Sequence, residues 1–287
     1  MFPTRNWLNA LNAAKAEVVF LSAVCVVTTG HRAGAPELEL AALFSSRLGV
    51  PLVPRAGLSI PALAKKYGVS GVLVVSARRV SYFYNGEELF LHPSMAKLRI
   101  SEIKAGKTDW MIKAMALQPG DWVLDCTLGL GVDATVASFV VGSRGRVVGV
   151  ESSPVLAVLV EHGLKTYRDH APLELIKAMA RIEVVCTNHL SYLKELATES
   201  FDVVYFDPMF RKPLQKSAAI NPVRLVANPA PLSVQAVQEA LRVARRRVVM
   251  KETRDSGEFA RLGFTRVEGG KSSPVAYGII EKRGGTG

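Results

Sequence analysis

The sequence predicts an α/β chain in which a doubly wound parallel sheet with a C-terminal antiparallel hairpin is preceded by a small α/β N-terminal domain. Three observations carry this. From Trp122 onward, short apolar runs alternate with stretches of helical periodicity, the pattern of parallel strands joined by crossover helices. The last run is followed by a Gly-rich stretch, FTRVEGGKSSPVAYGIIEK, that reads as a hairpin. A length of 287 residues with 49% apolar content suffices for about two domains.

Taken in order, the apolar run Val18 to Thr28 reads as a buried strand. It follows Arg5 and Lys15 and imitates a signal peptide, but Glu17 abuts it and no Ala-x-Ala site follows. Its roughly ten apolar residues are too few to span a bilayer, so the expectation is a cytoplasmic protein with no membrane partner. Leu40, Leu43, Phe44 and Leu48 then repeat at helical spacing up to Gly49. A short strand is expected over Val50 to Val53, and Ser59 caps a second helix that stops at Gly68. A strand over Val72 to Val75 leads to VSYFYNGEELFL, whose Asn85-Gly86 favours a type I′ hairpin turn. Residues 1–95 thus form the N-terminal domain, and nothing in it looks catalytic.

The basic stretch Ser94 to Lys107 lacks a strong apolar face and reads as a link. Thr108 is expected to cap a helix that ends before Pro119-Gly120, so link and helix together occupy 96–118 and the second domain 119–287. Its strands are expected at Trp122 to Asp125, Arg146 to Val150, Ile182 to Cys186, Phe201 to Phe206 and Arg247 to Lys251. The run Arg245 to Arg247 reads as a helix-end charge cluster complementing the dipole, with RNA contact second.

A net charge of +11 favours an anionic partner, nucleic acid before an acidic membrane surface. Cys25, Cys126 and Cys186 sit in apolar runs with no zinc or redox spacing, and read as reduced core thiols. The histidines at 31, 92, 162, 170 and 189 include no pair at metal-binding spacing, so no metal is expected.

The first strand of the second domain runs into DCTLGLGVDA, where Asp125 ends the strand and Gly129 and Gly131 turn into a helix. Glycine is needed there for tight angles and for close approach of a ligand. With Ala134, and with Glu151 twenty residues beyond Gly131, the string also satisfies a dinucleotide pattern. Asp125 moves the balance, because a carboxylate there suits the cationic amino-acid end of S-adenosylmethionine and repels a pyrophosphate. Glu151 suits ribose hydroxyls in either reading. The strand-end sequence Asp207-Pro208-Met209-Phe210 is a feature that a dehydrogenase does not need.

Here the chain resembles the class I methyltransferases, and within them the ribosomal RNA small-subunit methyltransferase J family, which methylates a guanine amino group. The likeness rests on GLGVDA, VESSPVLAVLVEHGL, VVYFDPMF followed by QKSA, and RVVMKE, over roughly residues 95–255. It implies a Rossmann-like sheet, S-adenosylmethionine as cofactor and RNA of the small ribosomal subunit as partner. It also implies cofactor contacts at Val132 and Asp133, Glu151 and Ser152, Asn188 and His189, and Asp207. The family usually has Arg at Val132, two serines at Asn188 and His189, and Pro at Arg211.

An exocyclic base amine is a poor nucleophile because its lone pair is delocalised into the ring. The expectation is that the Asp207 carboxylate accepts one amine hydrogen, the Pro208 carbonyl the other, and that Phe210 stacks on the base. Lys97, Arg99, Arg211, Lys212 and Lys216 are expected to hold phosphates around it. Each carries a plainer alternative: Phe210 as a core aromatic, Asp133 as a helix N-terminal carboxylate, Asn188 as a loop-turn residue, His189 as a surface residue, and each cation as a solvated charge. The acceptor alternatives are another RNA, DNA or a protein amide. A nucleic-acid-binding protein that keeps the cofactor pocket without turnover is the third reading, and a nicotinamide oxidoreductase the last.

Overall fold

The computed structural model describes residues 25–208 and 230–282. In the N-terminal unit, strand β1 (Cys25–Thr29) pairs in parallel with β2 (Gly71–Val75), and β3 (Val80–Tyr84) and β4 (Glu87–Leu89) add antiparallel edges in the order β1-β2-β3-β4. The part of the predicted first strand before Cys25 lies outside the described residues. Asn85 and Gly86 take φ of 49° and 85°, as the I′ turn requires. Helices α1 (Ala35–Leu48) and α2 (Ile60–Tyr67) both end on left-handed glycines, Gly49 and Gly68, and the Ser59 hydroxyl caps α2. The strand expected at Val50 to Val53 contracts to one bridge between Leu52 and Val27. Pro51 and Pro54 flank it and have no N–H to give a ladder.

The stretch read as a link is instead helix α3 (Ser94–Lys104), which buries Ala96 and Ile100. Its apolar stripe is narrow, because the side chain beside Ile100 is Arg99, which turns inward to partners far along the chain. Helix α4 (Trp110–Met115) is capped by Asp109, not Thr108, with the carboxylate accepting from the backbone N–H groups of Met111 and Ile112.

Strands and helices then alternate as expected. The strands are β5 (Trp122–Asp125), β6 (Arg146–Glu151), β7 (Ile182–Cys186), β8 (Phe201–Phe206), β9 (Ala244–Thr253), β10 (Arg266–Glu268) and β11 (Val275–Glu281). Between them lie α5 (Val132–Val141), α6 (Pro154–Thr166), α7 (Leu173–Ala180), α8 (His189–Glu195), α9 (Val234–Val243) and α10 (Glu258–Arg261). The large sheet has the order β10-β11-β9-β8-β5-β6-β7, in which β5 to β9 run parallel and the β10-β11 hairpin is antiparallel. Successive residues serve opposite faces. Val123, Val147, Val203 and Val249 pack into one core with α4 to α7, while Leu124, Val148, Val204 and Val248 pack into another with α8 to α10.

The N-terminal sheet shares the first of these cores, because Leu73, Val75 and Tyr82 join the same buried cluster as Val155 and Leu159 of α6. The Phe44 ring meets His162 edge-on at 5.6 Å, and Arg47 pairs with Glu161 at 2.6 Å. A Cβ on Gly163 would stand 2.7 Å from the Leu91 Cβ, so only glycine lets the two units approach this closely.

The Arg245 to Arg247 run lies in β9, not at a helix end. Arg247 Nη1 donates to the Ala114 carbonyl at 3.0 Å and Arg246 to the Ala116 carbonyl at 3.4 Å, so these two serve the C-terminus of α4, while Arg245 donates to the Glu199 carbonyl at 2.7 Å. Among the described residues no helix is long and apolar enough to cross a membrane, and no group of His, Cys, Asp or Glu is arranged to hold a metal ion.

Candidate active site

The candidate site is a row of side chains across adjacent strands. Register places Gly149, Asp125, Tyr205 and Val249 side by side on β6, β5, β8 and β9. Two residues further along each strand the side chains return to the same face, which brings Glu151, Thr127, Asp207 and Lys251 to the carboxyl ends of the strands. That edge is where open parallel sheets bind ligands. Tyr277 of β11 pairs with Lys251 and extends the row. The Asp207 backbone N–H donates to Thr127 Oγ1 at 2.6 Å, which ties the end of β8 to the loop after β5.

Lys251 is the centre of an ion network. Its ammonium donates to Asp207 Oδ2 at 2.7 Å and to Asp133 Oδ2 at 3.1 Å, and Tyr205 donates to the same Asp133 oxygen at 2.7 Å. Arg99 of α3 donates through Nη1 to Asp133 Oδ1 and through Nε and Nη2 to the Asp109 carboxylate at 2.7 and 3.0 Å. Three carboxylates against two cations leave this chain of groups with one net negative charge.

Their protonation follows from burial and these charges. Burial opposes ionisation of Asp133, yet Lys251 and Arg99 hold it well below the usual carboxylate range. For Asp207 burial prevails: Lys251 pulls it down, Asp133 pushes it up, and it stands at about 6. Burial likewise opposes charge on Lys251, but Asp133 and Asp207 keep it cationic. Asp125, 2% exposed, is pushed by burial up to about 8, against a hydrogen bond from the Thr127 N–H and with the charges of Asp133 and Asp207 adding to the rise.

The glycine loop is built as its sequence suggests. Gly129 and Gly131 have φ of 52° and 71°, a left-handed pair that starts α5 and presents backbone to the row. The Gly129 N–H donates to Glu151 Oε2 at 3.1 Å, and the Ser153 N–H to Oε1 at 2.8 Å, so Glu151 already orders the loop. Ser152 lies half-buried beside it and Val132 opens α5. Asn188 is the N-cap of α8, accepting from the Leu190 and Ser191 N–H groups, which is the turn role weighed against cofactor contact. His189 is half-buried with its ring edge-on to Phe206 at 5.8 Å, and burial lowers its pKa.

A model of the family described as "Putative SAM-dependent methyltransferase" matches residues 90–263, more than half of the chain and every residue of this site except Tyr277. The chain belongs to this family. Uncharacterized protein YpiP of Bacillus subtilis is 36% identical over 89% of the chain and 99% of its own length. A ribosomal RNA small subunit methyltransferase J of Pseudomonas savastanoi is 35% identical over 52% of the chain and 56% of its own length. Another protein of that name, from Ectopseudomonas mendocina, is 28% identical over 85% and 90%. Among solved structures, a SAM-dependent methyltransferase of Neisseria gonorrhoeae matches with a TM-score of 0.61 at 21% identity, covering 89% of this chain and 95% of that one, a likeness of fold.

The cofactor of the methyltransferase is S-adenosylmethionine, and the site fits it. Asp125 is a buried carboxylate that no Lys or Arg pairs with among the described residues, beside a network that is already net negative, and a cationic ligand supplies the missing charge.

Other predicted residues land elsewhere. Arg99 was expected on phosphates, but its side chain is 17% exposed and both ends of its guanidinium are engaged by Asp109 and Asp133, so its place is inside the methyltransferase. Asp133 has both carboxylate oxygens engaged in the network, so its side chain is committed within the protein. Lys97 is exposed, bonds the His170 carbonyl at 3.3 Å, and lines a separate surface groove with His92 and Tyr167. Pro208 is half-buried after Asp207. Met209, Phe210, Arg211, Lys212 and Lys216 lie outside the described residues. Thr127, Tyr205, Lys251 and Tyr277 were not singled out from the sequence. The available signal was a lysine directly after the buried apolar run Val248 to Met250, with a buried Glu252 beyond it.

Proposed function

We propose that the methyltransferase acts on an exocyclic amine of an RNA base, specifically guanine in small-subunit ribosomal RNA, in the cytoplasm. The observation that carries the reading is Asp207, held at the end of β8 by Thr127 and Lys251 and followed directly by Pro208. The names of the relatives at 28 to 35% identity support RNA of the small ribosomal subunit as the substrate.

S-adenosylmethionine supplies a methyl carbon made electrophilic by its sulfonium. In this reading Asp125 receives the cationic amino-acid end of the cofactor, and Glu151 the ribose hydroxyls. Val132, the Asp133 backbone, Ser152, Asn188 and His189 line the remainder. Asp207 accepts one hydrogen of the base amine and the Pro208 carbonyl the other, which draws the nitrogen toward a tetrahedral shape with its lone pair available. Phe210 stacks on the base, and Lys97, Arg211, Lys212 and Lys216 hold phosphates.

The test is transfer of labelled methyl to small ribosomal subunits from a strain lacking the gene, with large subunits and DNA as controls, followed by mass mapping of the RNA. Label should enter one guanine of small-subunit RNA, and Asp207→Asn should slow transfer about 100-fold or more while cofactor still binds. Methylation of DNA or protein, or full transfer by Asp207→Asn, would overturn it.

A further inference from the structure

We propose that Lys251 is a positioning residue for methyl transfer: it holds one oxygen of the Asp207 carboxylate and so reserves the other for the substrate amine. The inference rests on the reading that Asp207 accepts an amine hydrogen.

A carboxylate at the end of a strand can rotate about its side-chain bonds, and rotation moves its oxygens by ångströms. Lys251 removes that freedom at Asp207 with a charge-assisted hydrogen bond of 2.7 Å. Lys251 is itself held by Asp133 at 3.1 Å, Asp133 by Tyr205 and Arg99, and Arg99 by Asp109. Each of these side chains comes from a different element, so the carboxylate is referenced to α3, α5, β8 and β9 together. Lys251 is the cation that donates to the Asp207 carboxylate, and the Asp133 carboxylate lies within hydrogen-bonding reach beside it.

The same contact sets its charge. The titratable groups facing Asp207 are Lys251 from β9, Asp133 from α5, Asp125 from β5, Tyr205 from β8, and Tyr277 and Arg99 through the shared network. Of these, Lys251 is the cation in contact with it, whereas Asp133 and Asp125 are carboxylates that disfavour its ionisation. Without Lys251, Asp207 would be protonated through a higher pH range and would lose the acceptor that the amine needs.

The experiment compares Lys251→Met, Lys251→Arg, Asp207→Asn and the Lys251→Met/Asp207→Asn double variant on undermethylated small subunits, with cofactor affinity read by calorimetry. Lys251→Met should lower kcat by about 100-fold with KM for the subunit unchanged. Its acid limb should move up in pH, and Lys251→Arg should return the limb toward the wild-type position. Cofactor affinity of Lys251→Met should be equal or tighter, because a cation has left the surroundings of a cationic ligand, whereas a merely structural lysine would weaken it. In the Asp207→Asn background the methionine should add little. An unshifted acid limb in Lys251→Met, or fully additive losses in the double variant, would overturn the inference. Full activity of Asp207→Asn would instead overturn the reading beneath it. If methionine prevents folding, Lys251→Gln, a donor without charge, should still move the acid limb up in pH, and an unshifted limb there would overturn the inference.

Discussion

Replacing Arg99 by methionine separates two roles for that residue. As an RNA contact, Arg99 would be dispensable for folding, and its loss would reduce the dependence of RNA affinity on salt by about one phosphate contact. As built, its guanidinium makes three hydrogen bonds to Asp109 and Asp133, and its side chain is only 17% exposed. Removing one partner of a buried ion pair costs about 3 to 5 kcal/mol, since the other partner stays buried and uncompensated. The lower figure applies here, because Asp133 keeps Lys251 and Tyr205 and Asp109 keeps its two N-cap bonds. A loss of about 3 kcal/mol corresponds to a fall in Tm of about 6 to 12 °C for a chain of this size. The pH dependence has a definite sign. The folded pKa of Asp133 lies below its unfolded value, so the stabilisation is complete above about pH 4 and is lost as pH falls through the folded value. The gap between wild type and variant should therefore be widest at neutral pH and close in acid. Thermal unfolding followed by circular dichroism in steps from pH 7 down to pH 2 measures it, with the narrowing beginning below about pH 4. An unchanged Tm together with a reduced salt slope for RNA binding would refute the internal role and restore the phosphate contact.

Three further outcomes are expected. Tyr205→Phe keeps the ring but removes the 2.7 Å hydrogen bond to a buried carboxylate, and should destabilise by about 1.5 to 3 kcal/mol in urea denaturation. Gly163→Val forces a Cβ to within 2.7 Å of Leu91 and should cost about 1 to 3 kcal/mol, with faster hydrogen exchange in β2 and β3 than in β5 and β8. Cofactor binding should release protons near pH 7 and tighten as pH rises through about 8, because Asp125 must ionise to meet a cationic ligand; calorimetry in buffers of different ionisation enthalpy reads this directly, and proton-neutral binding would remove Asp125 from the cofactor's cationic end.

The parallel sheet was legible because its signals are local. Val147 and Val148, or Val203 and Val204, read as buried strands whichever face each residue serves, and Gly129 and Gly131 announce a left-handed turn by residue type alone. The carboxylates Asp125, Glu151 and Asp207 could be placed at strand ends by counting, whereas register sets Asp125 two residues before the row that holds Glu151 and Asp207. Helix α3 was not legible, since its inward stripe is Ala96, Arg99 and Ile100, and an arginine reads as a surface residue until its partners are known. Thr108 and Asp109 are both good caps, and the choice fell to Asp109 because the same carboxylate also receives Arg99. The strand at Val50 to Val53 failed on a local rule, the missing N–H of Pro51 and Pro54.

By itself the sequence determined the class of fold, the cofactor loop and the strand end that carries Asp207, because periodicity, turn chemistry and strand termini are properties of neighbouring residues. Only the tertiary structure decided what surrounds that carboxylate. Lys251 lies 44 residues from Asp207 and 118 from Asp133, and Arg99 lies 34 from Asp133. Whether a distant lysine or arginine neutralises a buried aspartate or meets solvent depends on register across β5, β8 and β9 and on the docking of α3, which no local pattern encodes.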